Sequence, residues 1–201
     1  MRRVVHPIEE DSFRILRGLV DLSALAPLSR AVVERVVHSS ADLEYVESLA
    51  LDEAALEAGR AALLAGAPLV ADVRAVAAMV TTREARVALA EPGAAELAGA
   101  EGLTRSAAGV RLALERVGAG AVWAIGNAPT ALRELLARAD AARPALVVGL
   151  PVGFVGAAES KAALAASGLP CVTNAGPKGG SAVAAAAVNA LLYHRTKEGV
   201  P

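Results

Sequence analysis

The sequence has one cysteine, 2% aromatic residues and no excess of basic side chains, and each shortage excludes a class of protein. A single cysteine, Cys171, excludes an internal disulfide framework and is compatible with a reducing cytosol. The 20 lysines and arginines are balanced by 21 aspartates and glutamates, for a net charge of −1. Because nucleic acid binding needs positive charge and stacking rings, we expect no nucleic acid partner.

Long hydrophobic runs are also lacking, although 55% of the residues are hydrophobic. The longest nearly apolar run, residues 182–192, contains an asparagine. It is shorter than the roughly 20 residues that a membrane-spanning helix needs. The N-terminus turns acidic soon after Arg2 and Arg3 and has no long apolar core, unlike a secretory signal. We therefore expect a cytoplasmic protein with no membrane partner.

The motifs of several common ligand classes are missing as well. No G-x-G-x-x-G directly follows a strand-like run, and neither G-x-x-x-x-G-K-[ST] nor G-x-S-x-G occurs. These absences argue against a dinucleotide-binding site, a P-loop that binds nucleoside triphosphates and the nucleophile elbow of an α/β-hydrolase. His6, His38 and His194 are far apart along the chain and the cysteine is isolated, so no metal site is predicted.

What the sequence does contain is a regular alternation of short apolar runs with helical patterns. The predicted strands are 67–72, 87–90, 121–125, 145–150 and 171–173. The earlier part of the chain reads as mostly helical, over roughly 7–20, 28–37 and 52–65. This pattern predicts an α/β fold: a single doubly wound, mainly parallel sheet flanked by helices, with a helical N-terminal portion. Since no linker or repeat divides the chain, we expect one domain, 1–201.

Three glycine-rich loops, 126–130, 149–156 and 174–181, follow predicted strands. Ligands of such sheets bind outside the carboxyl ends of the strands. Asn127 and Ser181 are expected to cap the next helices, whose N-terminal amides would then face an anionic ligand. A glycine after a strand is also ordinary turn chemistry, but three such loops at one edge favour a site.

The stretch "RVVHSSADLEYVE" places His38 at the end of a helical pattern. Ser39 and Asp42 match a capping box, which predicts a new helix beginning there. His38 would then precede the positive end of a helix dipole, which favours the neutral imidazole and makes its imidazolium a readier acid. The alternative is a histidine that is only hydrogen-bonded at a helix end, and the spacing does not decide between the two.

Several further polar residues have both a binding and an ordinary interpretation. Arg105 follows Thr104, a plausible N-cap, and opposes the helix dipole, so it either grips a carboxylate or forms a surface ion pair. Lys178, ahead of another helix, invites the same two interpretations. Ser12 faces either a cavity or solvent, and Thr82 marks a loop.

Several long segments together resemble the precorrin-8X methylmutase family of cobalamin biosynthesis, over nearly the whole chain. The matching segments are "HPIEEDSFRIL", "RVVHSSADLEY", "LLAGAPLVADVRAVA", "LTRSAAGVRLAL", "WAIGNAPTAL", "LVVGLPVGFVGAAESKAAL" and "GGSAVAAAAVNALL". The resemblance implies an isomerase that moves a methyl group from C11 to C12 of a contracted tetrapyrrole, precorrin-8X or its cobalt form. This 1,5-sigmatropic shift gives hydrogenobyrinate or a cobalt-bearing cobyrinate. It implies no cofactor and no bound metal, and it implies a homodimer with the site near the subunit interface.

The resemblance also assigns roles to residues. The catalytic histidine of the family falls on His38, which we expect to act as proton donor and acceptor. The expected substrate-binding residues are Ser12, Thr82, Arg105, Asn127 and Lys178. The carboxylates around the rim of the substrate would explain the helix N-termini and the cations. Relatives often have a basic residue where this chain has Pro177, which leaves Lys178 to make that contact alone.

Two other functions remain open at this point. A non-catalytic tetrapyrrole carrier would grip the same polycarboxylate but would not convert it. A flavodoxin-like phosphate or nucleotide binder would use the same loops, and the missing fingerprints argue against it.

Overall fold

The computed structural model describes residues 6–194, and its centre is a six-stranded sheet. The strands are β1 (Leu49–Leu51), β2 (Leu69–Ala71), β3 (Arg86–Val87), β4 (Val122–Ile125), β5 (Leu146–Gly149) and β6 (Cys171–Asn174). They lie in the order β1-β6-β5-β4-β2-β3. All neighbouring pairs are parallel except β1 with β6, so the prediction of a mainly parallel α/β sheet is confirmed.

Helices connect the strands and precede the sheet. The described residues contain α1 (Pro7–Leu19), α2 (Pro27–Ser40), α3 (Tyr45–Ser48), α4 (Glu53–Leu64), α5 (Arg74–Met79), α6 (Ala94–Glu101), α7 (Arg105–Val117), α8 (Pro129–Ala137), α9 (Ala139–Ala142), α10 (Ala157–Ala166) and α11 (Ser181–Tyr193). The three predicted N-terminal helices correspond to α1, α2 and α4 and are confirmed. None of the helices in this part of the chain is long and apolar enough to cross a membrane.

Two strand predictions were incomplete. The run 87–90 forms strand only at its start, because residues 88–90 turn into a single 3₁₀ turn. The edge strand β1 was missed, since its three residues carry no alternating pattern of their own and are strand only through pairing with β6.

Side chains of the sheet alternate between two apolar layers. In β4, Val122 and Ala124 pack with α2, α4, α5 and α11, whereas Trp123 and Ile125 pack with α7, α8 and α10. This two-residue period on a fully buried strand is what a sheet covered on both faces requires. The two layers confirm the doubly wound arrangement.

The strand order changes direction between β2 and β4, which are neighbours in the sheet although β3 lies between them in sequence. The chain proceeds from β2 to one side through β3 and to the other through β4, β5 and β6. Open α/β sheets bind ligands at this type of switch point, outside the carboxyl ends of the strands. The loops that begin at residues 72, 126, 150 and 175 all leave the sheet at this edge.

Two of the glycine-rich loops pack directly on each other. A Cβ atom on Gly179 would lie 2.3 Å from the carbonyl oxygen of Leu150 and 2.6 Å from that of Pro151. The amide of Gly180 donates to the Leu150 carbonyl, and the amide of Gly153 donates to that of Pro177. Gly179 therefore permits a close approach between the backbones of the two loops.

Candidate functional site

His38 lies in the last turn of α2, which continues through Ser40. The predicted helix start at Ser39 is therefore wrong. The hydroxyls of Ser39 and Ser40 donate to the carbonyl of Val36, the usual choice of serines inside a helix, and the helix ends where Ala41 adopts a left-handed φ of 53°. His38 thus lies near the negative end of a helix dipole, so the dipole argument for a neutral imidazole is also wrong.

Helix α1 supplies two contacts to the half-buried imidazole. The hydroxyl oxygen of Ser12 lies 2.8 Å from Nδ1 of His38. The Phe13 ring stacks on the imidazole with centroids 4.7 Å apart and an interplanar angle of 20°. One neighbour fixes an edge of the ring and the other fixes its plane, so the orientation of the imidazole is determined by α1. Ser12 was predicted as a site residue, and Phe13 was not.

Arginines attach α1 to the rest of the fold. The guanidinium of Arg35 lies 5.5 Å from the Phe13 ring centroid and 4.8 Å from that of Tyr193, at the end of α11. Arg17 lies 5.7 Å from the Phe13 ring and forms a bidentate ion pair with Glu34 of α2. These contacts matter because Leu16 is the only buried residue of α1. They hold the helix that carries Ser12.

Lys178 lies beside the turn that follows α2. Its ammonium group contacts Asp42 at 2.6 Å and Glu44 at 2.8 Å. Hydrogen bonds to these two carboxylates raise the pKa of Lys178, and the same contact lowers the pKa of Asp42. The lysine is therefore cationic but already paired, and a substrate carboxylate would have to share it or displace these partners.

A second lysine, Lys161, is buried under the same loop, with 1% of its surface exposed. Its ammonium group donates to Oδ1 of Asn174 at 3.0 Å and to the backbone carbonyl of Lys178. Asn174 also donates to that carbonyl, at 3.1 Å. Lys161 therefore fixes the backbone from which Lys178 projects. Sequence reasoning missed it, because a lysine in an alanine-rich helix gives no local sign of burial.

Burial lowers the pKa of Lys161 to about 8, from its ordinary value of 10.5. Between these values the unfolded chain binds more protons than the folded chain, so stability rises with pH. We expect the free energy of unfolding of the wild type, measured against Lys161→Met, to rise by about 1 kcal/mol per pH unit above pH 8. Urea unfolding at pH 7.5, 8.5 and 9.5 measures this, and other titrating groups cancel in the difference. A difference independent of pH would contradict it.

At the switch point, a buried carboxylate fills the N-terminus of α8. Oδ1 of Asp72 accepts from the amides of Val73 at 3.0 Å and Gly126 at 3.1 Å. Oδ2 accepts from the amides of Asn127 at 2.8 Å and Ala128 at 2.9 Å. Burial raises the pKa of this carboxyl group, and the four amide donors oppose that shift.

The predicted caps at Asn127 and Ser181 are wrong. The N-cap residues of α8 and α11 are Ala128 and Gly180, and neither makes a side-chain cap. Asn127 is exposed. Because Asp72 already occupies the amides that open α8, this helix end does not offer an anion site to a phosphate. The geometry thus argues against the nucleotide-binding alternative.

Arg105 is exposed in the first turn of α7, and Thr104 caps that helix as predicted, accepting from the amide of Ala107 at 3.2 Å. Thr104 also donates to the hydroxyl of Thr130 at 2.8 Å, which places the start of α7 beside the start of α8. Arg105 lines a cavity of about 280 Å³ at this edge. Thr82 is exposed in the loop between α5 and β3.

The candidate residues fall into two groups. Ser12 and His38 are in contact, and Lys178 is connected to the same end of α2 through Asp42. Within residues 6–194, no hydrogen bond or ion pair that the structure contains joins Thr82, Arg105 or Asn127 to His38. These three remain predictions, located on other loops.

The loop after β5 adds exposed apolar surface to this edge. Phe154 is 98% exposed and Val155 is 88% exposed, and Val152 lies just before them. Gly153 and Gly156, both with positive φ, flank the pair. A bare aromatic side chain on a loop shaped by glycines suits contact with a large flat ligand.

Comparison with known proteins gives one consistent result. The family model described as Precorrin-8X methylmutase matches residues 7–194. A precorrin-8X methylmutase of a Sinorhizobium species is 44% identical over 194 residues, covering 92% of each chain. A cobalt-precorrin-8 methylmutase of Methanocaldococcus jannaschii is 38% identical, covering 83% of this chain and 80% of that protein. The crystal structure of the precorrin-8X methylmutase from Thermus thermophilus superposes with a TM-score of 0.84 at 39% identity, covering 92% of this chain and 93% of that one.

Proposed function

This chain belongs to the precorrin-8X methylmutase family, isomerases of cobalamin biosynthesis, and we propose that it moves a methyl group from C11 to C12 of its tetrapyrrole substrate. The substrate is precorrin-8X or its cobalt form, and the reaction is a 1,5-sigmatropic shift. The observation that carries the proposal is the contact between Ser12 and His38, which equips a half-buried imidazole with a fixed partner at Nδ1.

That partner leaves Nε2 of His38 for the substrate. A serine hydroxyl can donate or accept a hydrogen bond, so it supports either tautomer of the imidazole. With Ser12 donating to Nδ1, Nε2 carries the proton and is a donor. With Ser12 accepting from Nδ1, Nε2 is free to take a proton. The pair therefore suits a group that gives a proton and later recovers it.

The chemistry then balances without a net proton. His38 places a proton on a nitrogen or carbon of the macrocycle near the migrating methyl group. The bond from C11 to the methyl carbon breaks as the bond from C12 to it forms. The conjugated double bonds shift at the same time, so that C11 becomes unsaturated and C12 saturated. The proton returns to His38, and the product is an isomer of the substrate. A positioned acid typically contributes about 10²–10⁴-fold to such a step.

Substrate binding is assigned to the loops at the same edge of the sheet. Arg105 and Lys178 supply positive charge for the rim carboxylates, and Thr82 and Asn127 supply polar contacts. We also propose that the whole chain is one domain, since every described strand belongs to one sheet. The biosynthetic role of the family supports a cytoplasmic location.

A homodimer is proposed as the working assembly. The apolar side chains of Ile8, Ile15 and Leu19 are exposed on α1 and repeat at a spacing that places them on one face of the helix. An apolar stripe on a helix that contributes one buried residue to its own core supports burial against a second copy.

The decisive experiment records the visible spectrum of the purified protein mixed with precorrin-8X, and in parallel with the cobalt form. Conversion to the spectrum of hydrogenobyrinate, or of the cobalt-bearing product, is the expected result. Stoichiometric binding of both substrates without conversion of either would instead establish the carrier alternative.

A further inference from the structure

Most arginines among residues 6–194 have an acceptor. Those in ion pairs with carboxylates are Arg14, Arg17, Arg35, Arg86, Arg111, Arg116 and Arg138. Arg60 and Arg83 donate to backbone carbonyls. Arg74 and Arg105 belong to the minority that, within these residues, has neither kind of contact. An exposed guanidinium without a protein acceptor does not destabilise the fold, because water solvates it. Two such groups at one cavity suggest that they bind an anionic ligand.

Arg74 and Arg105 line the same cavity of about 280 Å³. The other lining side chains are apolar and come from the segments 73–75 and 87–90, so the lining has no carboxylate. The cavity lies at the carboxyl ends of β2 and β3, because Arg74 follows β2 and the segment 87–90 follows β3. It is therefore adjacent to the switch point, where this class of sheet binds ligands.

Asp72, close to Arg74 in sequence, makes no ion pair with either arginine. Asp72 is two residues from Arg74, but both of its oxygens accept from backbone amides and the side chain is buried. The two exposed arginines thus line an apolar space, and no hydrogen bond or ion pair within residues 6–194 engages their guanidinium groups. Guanidinium groups match the geometry of carboxylates and bind them through paired, charge-assisted hydrogen bonds.

We propose that Arg74 acts with Arg105 as a carboxylate subsite for one acidic side chain of the tetrapyrrole substrate. The inference rests on the proposed function, since that function supplies the polycarboxylate ligand. It adds Arg74 as a binding residue that fixes the position of the macrocycle over the switch point. Because Arg74 takes no part in the proton transfer, it acts on binding and not on the chemical step.

The test uses hydrogenobyrinate as the binding probe and compares the wild type with Arg74→Ala and Arg74→Lys. Loss of a charge-assisted pair should raise the dissociation constant and KM of Arg74→Ala by about tenfold or more, with kcat within about twofold. Arg74→Lys should lie between the two, since it keeps the charge and loses the planar fork. Arg143→Ala is the matched control: Arg143 is exposed, has no ion pair among the described residues, and precedes β5 at the opposite edge. It should bind like the wild type.

A second probe identifies the contact: hydrogenobyrinate whose side-chain carboxylates have been converted to amides. The difference between wild type and Arg74→Ala should largely disappear with this probe. A folded Arg74→Ala protein that binds hydrogenobyrinate like the wild type, or an equal loss with both probes, would overturn the subsite. Turnover of precorrin-8X or of its cobalt form by the wild type tests the proposed function separately. If the wild type binds hydrogenobyrinate but converts neither substrate, the proposed function fails while the binding comparison still decides the role of Arg74.

Discussion

His38→Ala is expected to lower the turnover of precorrin-8X by about 10²–10⁴-fold, while hydrogenobyrinate binds within a few-fold of the wild type. The imidazole is the acid proposed to act on the macrocycle, and its loss removes the proton but few binding contacts. Stopped-flow absorbance spectra after mixing with substrate measure the rate of turnover, and titration with hydrogenobyrinate measures binding. His194→Gln is the matched control, because this histidine caps the C-terminal end of α11 and is joined to His38 by no hydrogen bond or ring contact in the described residues, so the variant should keep its activity. Unchanged turnover in His38→Ala would remove the residue from the mechanism.

Ser12 provides a graded form of the same experiment. Ser12→Ala keeps the imidazole but removes its partner at 2.8 Å, so kcat should fall by about tenfold, the value of one ordinary hydrogen bond. Ser12→Thr restores a hydroxyl and should recover part of the loss. A positioning role also predicts an altered dependence of kcat on pH in Ser12→Ala, which a purely structural defect would not produce. If Ser12→Ala matched His38→Ala in severity, serine would have a more direct part in the reaction.

Asp72→Ala is expected to lower the free energy of unfolding by on the order of 3–5 kcal/mol, because it leaves buried amides without their acceptor. The four donors are the amides of Val73, Gly126, Asn127 and Ala128. Asp72→Asn should recover little of this stability, since the NH₂ group of asparagine would replace one acceptor oxygen and face backbone N–H donors. Urea unfolding with a fixed m-value measures the loss.

Asp52→Ala is the matched control for this experiment. Asp52 is also an aspartate at the start of a helix, but it is exposed and accepts from a single amide, that of Ala55 at 2.9 Å. Its loss should cost about 1 kcal/mol, the usual value of an N-cap. Equal losses at Asp52 and Asp72 would mean that water replaces the buried carboxylate, and that Asp72 does not hold the switch-point loop.

The sequence is sufficient for the parts of the fold that depend on local pattern. The central strands are short apolar runs between helical patterns, and β4 and β5 lie within one residue of prediction at each end. The edge strand β1 could not be found in this way. Its three residues pair antiparallel with β6, more than a hundred positions later, and only that distant partner makes them a strand.

The candidate site likewise depends on contacts between distant parts of the chain, which the local sequence does not predict. A serine and a histidine 26 residues apart meet because α1 packs on α2, and no spacing rule within either helix predicts that contact. The resemblance to a known family named both residues as site residues, and only the structure shows that they are in contact. Asp72 and Lys161 were missed for a different reason. Each is an ordinary polar residue in its local sequence, and only the tertiary structure buries it.

The reversed edge strand has a consequence for how the protein is made. Leu49 pairs with Asn174, and α2, which carries His38, packs mainly against α11. A chain leaving the ribosome therefore exposes α2, the helix that carries His38, long before α11, which will cover it, has been synthesised. Contacts this distant along the chain form late and slowly. The proposed acid, His38, is positioned only after α11 has been synthesised and has packed on α2. A chain that stops before α11 would therefore be inactive even where its early helices had formed.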